Sequence, residues 1–410
     1  VTAFLTQYAF LIAAIVKIAI LVFIVLTVDA YLTWLERKVI AHIQARWGPR
    51  RVGPFGLLQP LADGLKFILK EDPMPSGVDR TAYFLAPFIT LMLALTSLAV
   101  IPFGPDFTIF GYTTNFGIAD VNISILVLFA ITALSVYGVA LAGWASNNKY
   151  SLLGGLRSSA QMISYELALT LSVVGVLLIA GDFSLKGIVL QQQTPNLGLL
   201  SWNIIGVGHG YGFTQIVGFA CFFIAAIAET NRIPFDLPEA ESELVAGFHT
   251  EYASMKFAMF FIGEYTAMIT ISSLATILFF GGWLSPFPST WGFTEYLPTL
   301  VLFCLGAYAI YNSIGYETMI GRLAIPGIGT AMILIGVALA LIPDLNHFIQ
   351  GPFWFVAKVF VFLFFYIWMR GTLPRFRYDQ LMAFGWKFLL PVSIANVVVT
   401  SAVMLWRMPR

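Results

Sequence analysis

Ten stretches of about 20 residues, almost wholly apolar, recur along the chain near 9–34, 83–103, 122–145, 160–181, 213–230, 255–281, 297–317, 326–344, 353–371 and 388–406. A helix of that length crosses a hydrocarbon core of roughly 30 Å, and inside lipid a spanning helix satisfies its own backbone. The expectation is an all-α polytopic membrane protein with about ten transmembrane helices. Gly104-Pro105, Gly181-Asp182 and Gly351-Pro352 punctuate the runs. With 59% hydrophobic and 10% charged residues, a soluble globular chain is excluded, and a net charge of +1 lacks the basic excess of a nucleic-acid binder. The first run opens without a small-residue cleavage site, so it reads as a retained helix rather than a removable signal.

Lys and Arg concentrate in the loops that face the cytoplasm. If the loop after the first helix is cytoplasmic, that side gathers seventeen of the 22 positive residues, among them Arg37, Lys66, Arg157, Arg232, Arg322, Arg370, Arg375 and Arg377. Ten helices then put both termini on the opposite side. In that first loop, GLLQPLADGLKFILKED sets Leu58, Leu61, Leu65, Ile68 and Leu69 on one helical face and Asp63, Lys66 and Lys70 on the other. Such a helix lies in the membrane interface; the alternative is a loop helix packed on its neighbours.

AETNRIPFDLPEAESEL, continued to Glu251, collects Glu229, Asp236, Glu239, Glu241, Glu243 and Glu251 against the single Arg232. Pro234 and Pro238 stop the fifth helix there. Glu166, read as six residues into the fourth helix, falls about 9 Å deep, and Glu264, nine residues into the sixth, about 13 Å deep. Acids facing lipid cost roughly 2.5–3.5 kcal/mol each, so these must pair, bind protons or line a hydrated cavity. The reading is a proton or cation path from the cytoplasmic surface towards the midplane. For the loop acids, helix capping and loop geometry held by Arg232, Arg157 or Lys256 is an equal alternative.

Other chemistry is missing. The four histidines, His42, His209, His249 and His347, fall outside the helix cores, so paired haem ligation is not expected. Cys221 and Cys304 are far apart, and no metal spacing or nucleotide loop occurs. Any redox cofactor is therefore expected in a partner.

ERKVIAHIQARWGPRRVGPFGLLQPLADGLKFILKED, GGLRSSAQMISYELAL, the 228–265 segment and PRFRYDQLMAFGWKFLLP together closely resemble the H-subunit family of NADH-quinone oxidoreductase, the membrane subunits at the heel of respiratory complex I. The resemblance covers about 30–285 and 353–406, in family order. It implies a bacterial inner-membrane subunit framing a chamber for a quinone, ubiquinone or menaquinone, as substrate. The chain itself binds no cofactor; FMN and iron–sulfur clusters reside in partner subunits. Expected partners are the hydrophilic quinone-site and terminal iron–sulfur subunits, small membrane subunits, and lipid. By motif position, Glu36, Arg37, Asp63, Lys66, Phe235, Asp236 and Arg377 line the chamber or its loops, and Glu166, Glu229, Glu241, Glu243, Glu251 and Glu264 carry protons. No residue is expected to be catalytic or to bind metal. Residues 1–285 would form a six-helix part and 353–410 a two-helix part, an eight-helix core interrupted by a peripheral transmembrane hairpin within 286–352, its cytoplasmic turn at Glu317 and Arg322. A related membrane subunit of an energy-converting hydrogenase or formate hydrogenlyase, and a stand-alone ion transporter, are the alternatives; the second would show paired half-repeats with broken helices at the midplane, and the sequence shows no convincing repeat.

Overall fold

The computed structural model describes residues 2–109, 112–194, 197–206, 215–236, 245–288, 291–313 and 319–407. Helix α1 (Thr2–Ile43) leads to a short interfacial helix α2 (Gln59–Leu69), then α3 (Arg80–Leu98). A small antiparallel hairpin, β1 (Phe107–Ile109) and β2 (Tyr112–Thr114), pairs Phe107 with Thr114. Next come α4 (Ser124–Ala145), α5 (Lys149–Ala180), the short α6 (Leu185–Gln193), α7 (Ile216–Glu229) and α8 (Ser254–Phe279). The chain closes with α9 (Leu297–Ser313), α10 (Met319–Leu341), α11 (Pro343–Thr372) and α12 (Tyr378–Phe384), which runs through a π turn into α13 (Leu390–Arg407).

By length and composition, eight helical spans are apolar enough to cross a membrane, and the shorter Ile216–Glu229 and Ile325–Leu341 add two more apolar helices among the described residues. The fold is thus the expected polytopic helical one, with the β hairpin as an addition.

Three helix starts lie about ten residues ahead of the apolar runs. Helix α5 begins at Lys149, not near 160, because Gly154 and Gly155 are helix-packing positions. A Cβ on Gly154 would lie 2.7 Å from Gly247 Cα, and one on Gly155 would lie 3.1 Å from Gly143 Cα. Close backbone approach needs small residues in a membrane bundle, and a polar, glycine-rich stretch imitates a loop. Glu166 is therefore roughly 25 Å along its helix from Lys149, in its middle, instead of about 9 Å from its start. Helix α11 starts at Pro343 and carries Pro352 inside it. The last helical unit starts at Tyr378, ahead of its apolar core.

Helix α8 is the most enclosed span. Two of its buried hydroxyls bond backwards, Thr270 donating to the Thr266 carbonyl at 3.0 Å and Thr276 to that of Ser272 at 2.9 Å, whereas those of Ser272 and Ser273 have no hydrogen-bond partner among the described residues. Ser97 of α3 meets Thr270 at 2.9 Å. By contrast no residue of α2 is buried, and Leu61, Leu65, Ile68 and Leu69 are exposed on its apolar face, as an interfacial helix requires. Ser254 at the start of α8 holds α2 by donating to the Phe67 carbonyl at 2.7 Å. Helices α9 and α10 pack chiefly on each other, with Gly306 and Gly329 facing, and touch α11 on one flank.

Candidate functional site

Glu36, near the end of α1, is buried, and three groups converge on it. The Tyr265 hydroxyl of α8 donates to Oε2 at 2.6 Å, Arg370 of α11 pairs with Oε1, and Arg232 Nη1 stands 3.7 Å from Oε2. Arg232 also lies over the Tyr265 ring at 4.2 Å. Glu36, Tyr265 and Arg370 line a cavity of about 670 Å³, together with residues that include Arg37, Ile40, Trp47 and Phe261. The size and mixed lining suit a small organic ligand. Arg37 pairs with Asp63 at 2.6 Å, and Gln59 donates to the same carboxylate at 3.0 Å, so α2 is tied to the rim.

A second, smaller cavity of about 60 Å³ lies among α3, α4, α7 and α8, with room for several waters. Glu229 and Glu264 both line it, beside Ser97, Asn231 and Thr270. Glu229 Oε2 is buried with no hydrogen-bond partner among the described residues. Glu166 of α5, half-buried, is within electrostatic reach of Glu229.

Consecutive residues divide between the two cavities, Phe260 lining the small one and Phe261 the large one. Glu264 lines the small cavity while Tyr265 lines the large one. Asn231 lines the small one while Arg232 reaches Glu36 on the other side. Gln161 of α5 fixes the 228–235 turn by donating to the carbonyls of Ala228 and Phe235, both at 2.8 Å.

Of the residues expected at the quinone chamber, the structure brings Glu36, Arg37 and Asp63 together. Glu36 and Arg37 line the cavity and Asp63 reaches it only through Arg37, while the other four stand outside the lining. Lys66 is exposed on α2. Phe235 stacks on Phe376 with centroids 5.5 Å apart, and Asp236 is 3.3 Å from Arg375, so both clamp the loop before α12. Arg377 is exposed at the start of α12. Among the acids, Glu251 stands apart, receiving a bond from Asn148 at 2.6 Å in a separate polar cavity. Glu239, Glu241, Glu243, Glu317 and His209 lie outside the described residues, and the Arg322 side chain is likewise not described.

Near Glu251, His249 is buried against the rings of Phe248, Phe257 and Phe261, and burial pulls its imidazole down to about 4. It is neutral at physiological pH. Among the described residues no cluster of three His, Cys, Asp or Glu could hold a metal.

Sequence reasoning missed Asp29, 2% exposed inside α1, which accepts a bond from the Thr266 hydroxyl at 2.8 Å. An acid within the first apolar run, seven residues before Glu36, was the available signal. It also missed Arg370 and Tyr265 as partners of Glu36, because neither pairing leaves a trace in spacing.

Fold and cavities define a polytopic helical membrane protein with a charged chamber at one end of the bundle and an acid-lined pocket behind it. The chain matches the family model described as NADH dehydrogenase over residues 16–401. It is 50% identical over 399 residues to the first of two H subunits of NADH-quinone oxidoreductase from Solibacter usitatus, covering 97% of this chain and 98% of the other. It is 50% identical over 402 residues to the second such protein of Koribacter versatilis, covering 96% and 97%. With the corresponding protein of Syntrophotalea carbinolica it shares 42% over 398 residues, covering 97% and 98%. The chain belongs to the H-subunit family of NADH-quinone oxidoreductase. It is a membrane subunit of that oxidoreductase complex, and the hydrogenase, hydrogenlyase and transporter alternatives are not favoured. Coverage this complete leaves no room for the 286–352 segment to be missing from the Solibacter chain.

Proposed function

We propose that the large cavity receives a quinone headgroup and that this chain couples quinone reduction to proton movement through the acids of the small cavity. The observation that supports the reading is that Tyr265 and Arg232, which both reach Glu36 on the chamber side, each stand one residue from a group lining the small cavity, Glu264 and Asn231. A quinone gaining electrons develops negative charge on its oxygens and must acquire protons. Arg37 and Arg370 line the cavity where that charge would appear. A change of charge there acts on Arg232 and, through it, on acids that titrate together. Glu229 and Glu264 then carry protons onward with Glu166, and Glu241, Glu243 and Glu251 are further proton carriers on this reading.

On this reading the basic loops are cytoplasmic, the termini lie on the opposite side, and the membrane is the bacterial inner membrane. Hydrophilic subunits bearing FMN and iron–sulfur clusters dock over the loops of Arg37, Lys66 and Arg377, with Phe235 and Asp236 holding that face in shape. Small membrane subunits and lipid cover the apolar flanks. The chain divides into residues 1–285, the hairpin region 286–352, and 353–410, with the hairpin outside both cavities. A photoreactive quinone analogue added to the assembled complex tests the chamber. Labelling of peptides holding Trp47 or Phe261, suppressed by excess quinone, is expected. Quinone-protectable labelling confined to other parts of this chain would refute it.

A further inference from the structure

Asp29 has no role in the path described above, yet it is placed between the two cavities. On α1, Asp29, Thr33 and Glu36 follow at i, i+4 and i+7, one helical face. Thr33 lines the large cavity, so cavity water reaches within one turn of Asp29, about 6 Å along the axis. On the other side Thr266 donates to Asp29 Oδ2 at 2.8 Å. One turn further along α8, Thr270 bonds back to the Thr266 carbonyl and meets the Ser97 hydroxyl at 2.9 Å. Thr270 and Ser97 both line the small cavity. A line of oxygens therefore runs from one cavity to the other, and Asp29 is its one ionisable member. Its second oxygen, Oδ1, is buried with no hydrogen-bond partner among the described residues. A buried unsatisfied oxygen in a membrane helix calls for a proton or a water.

We propose that Asp29 is a proton relay between the two cavities, parallel to the Glu36–Arg232 contact; this rests on the coupling role given to the small cavity. One proton leaves hydronium in the water beside Thr33 and forms an O–H bond at Asp29 Oδ1; that bond then breaks and the proton passes to water on the small-cavity side, near Thr270 and Ser97, so that each O–H bond formed matches one broken and no electron moves. Glu36 follows seven residues on along the same helix, Tyr265 precedes Thr266 on α8 and donates to Glu36, and Arg370 of α11 pairs with Glu36. Arg232 acts electrostatically on Asp29 and also faces Glu36 across 3.7 Å. When a charge in the chamber draws Arg232 towards Glu36, Asp29 loses cationic support and takes up the proton. When Arg232 swings back, Asp29 releases it.

The competing role is a helix clamp in which Asp29 only joins α1 to α8. Asp29→Asn keeps an acceptor for Thr266 but holds no exchangeable charge, whereas Thr266→Val removes the clamp and keeps the acid. In sealed vesicles bearing the assembled complex, Asp29→Asn is expected to lower quinone-coupled proton pumping at least threefold, with electron transfer from NADH to an artificial acceptor unchanged. Thr266→Val is expected to retain pumping with its pH profile displaced. Normal pumping in Asp29→Asn overturns the proposal. If Asp29→Asn does not assemble, the Thr266→Val profile decides, and an undisplaced profile overturns it. Glu229→Gln, measured alongside, separates the two readings: normal pumping there removes the role of the small cavity, while loss there with normal Asp29→Asn removes Asp29 alone.

Discussion

Exchange of Glu36 for Gln leaves the shape of its site almost intact and removes the one negative charge that Arg370 and Arg232 share. The Tyr265 hydroxyl still finds an acceptor. Both guanidiniums lose the charge they share on Glu36, and Arg232, like Glu36, is buried. Breaking such a buried pair costs about 3–5 kcal/mol, a factor of a hundred or more in the local folded population. The adjacent Arg37 provides the contrast, since its 2.6 Å pair with Asp63 is exposed, with 53% of the Arg37 side-chain surface open. Exposed pairs are worth about 0–1 kcal/mol. Thermal inactivation of the assembled complex, with hydrogen exchange read over the end of α1 and over α11, is expected to show a large loss for Glu36→Gln and almost none for Arg37→Gln. The double variant Glu36→Gln, Arg370→Gln should recover part of the loss. Equal small effects for the two single variants, with no recovery in the double, would show that Glu36 does not hold the three elements together.

Gly154→Ala should cost about 1–3 kcal/mol of stability by overpacking, because its Cβ would meet Gly247 backbone that cannot move aside. Alanine at Gly64, where nothing lies within 4 Å, is the control and should cost nothing by thermal inactivation. His249 should make the complex acid-sensitive. Its folded value of about 4 lies below the ordinary value of 6.5, so its contribution is complete above about 6.5 and is lost as pH falls towards 4, by up to about 3 kcal/mol. Inactivation rates at pH 7 and pH 5 should diverge in the native complex and diverge less in His249→Gln.

The spans were legible because hydrocarbon thickness imposes one length on every crossing, and the interfacial helix because its two faces differ in polarity. Helix ends were less legible. The start of α5 hides in small residues whose purpose is contact with Gly247 and Gly143, a long-range fact. The acids Glu229 and Glu264 announced themselves by being charged within apolar runs, and they do share a cavity. Asp29 carried the same signal without the neighbouring acids that draw attention. Lys358 is a similar case: inside an apolar run, it donates to the carbonyls of Phe280, Gly282 and Leu284 at 2.7, 2.9 and 2.6 Å and caps the end of α8. The partners of Glu36 come from three distant segments, and only the folded chain joins them. Phe235, Asp236 and Arg377 were assigned by motif; their motif marks a loop clamp as much as a chamber lining.

The central claim, that the small cavity carries protons driven from the chamber, is tested most directly by Glu229→Gln in sealed vesicles bearing the assembled complex. Quinone-coupled proton pumping should fall severalfold while electron transfer from NADH to an artificial acceptor stays at the native rate. Native pumping per NADH oxidised, in a fully assembled Glu229→Gln complex reducing quinone at the native rate, would contradict the account.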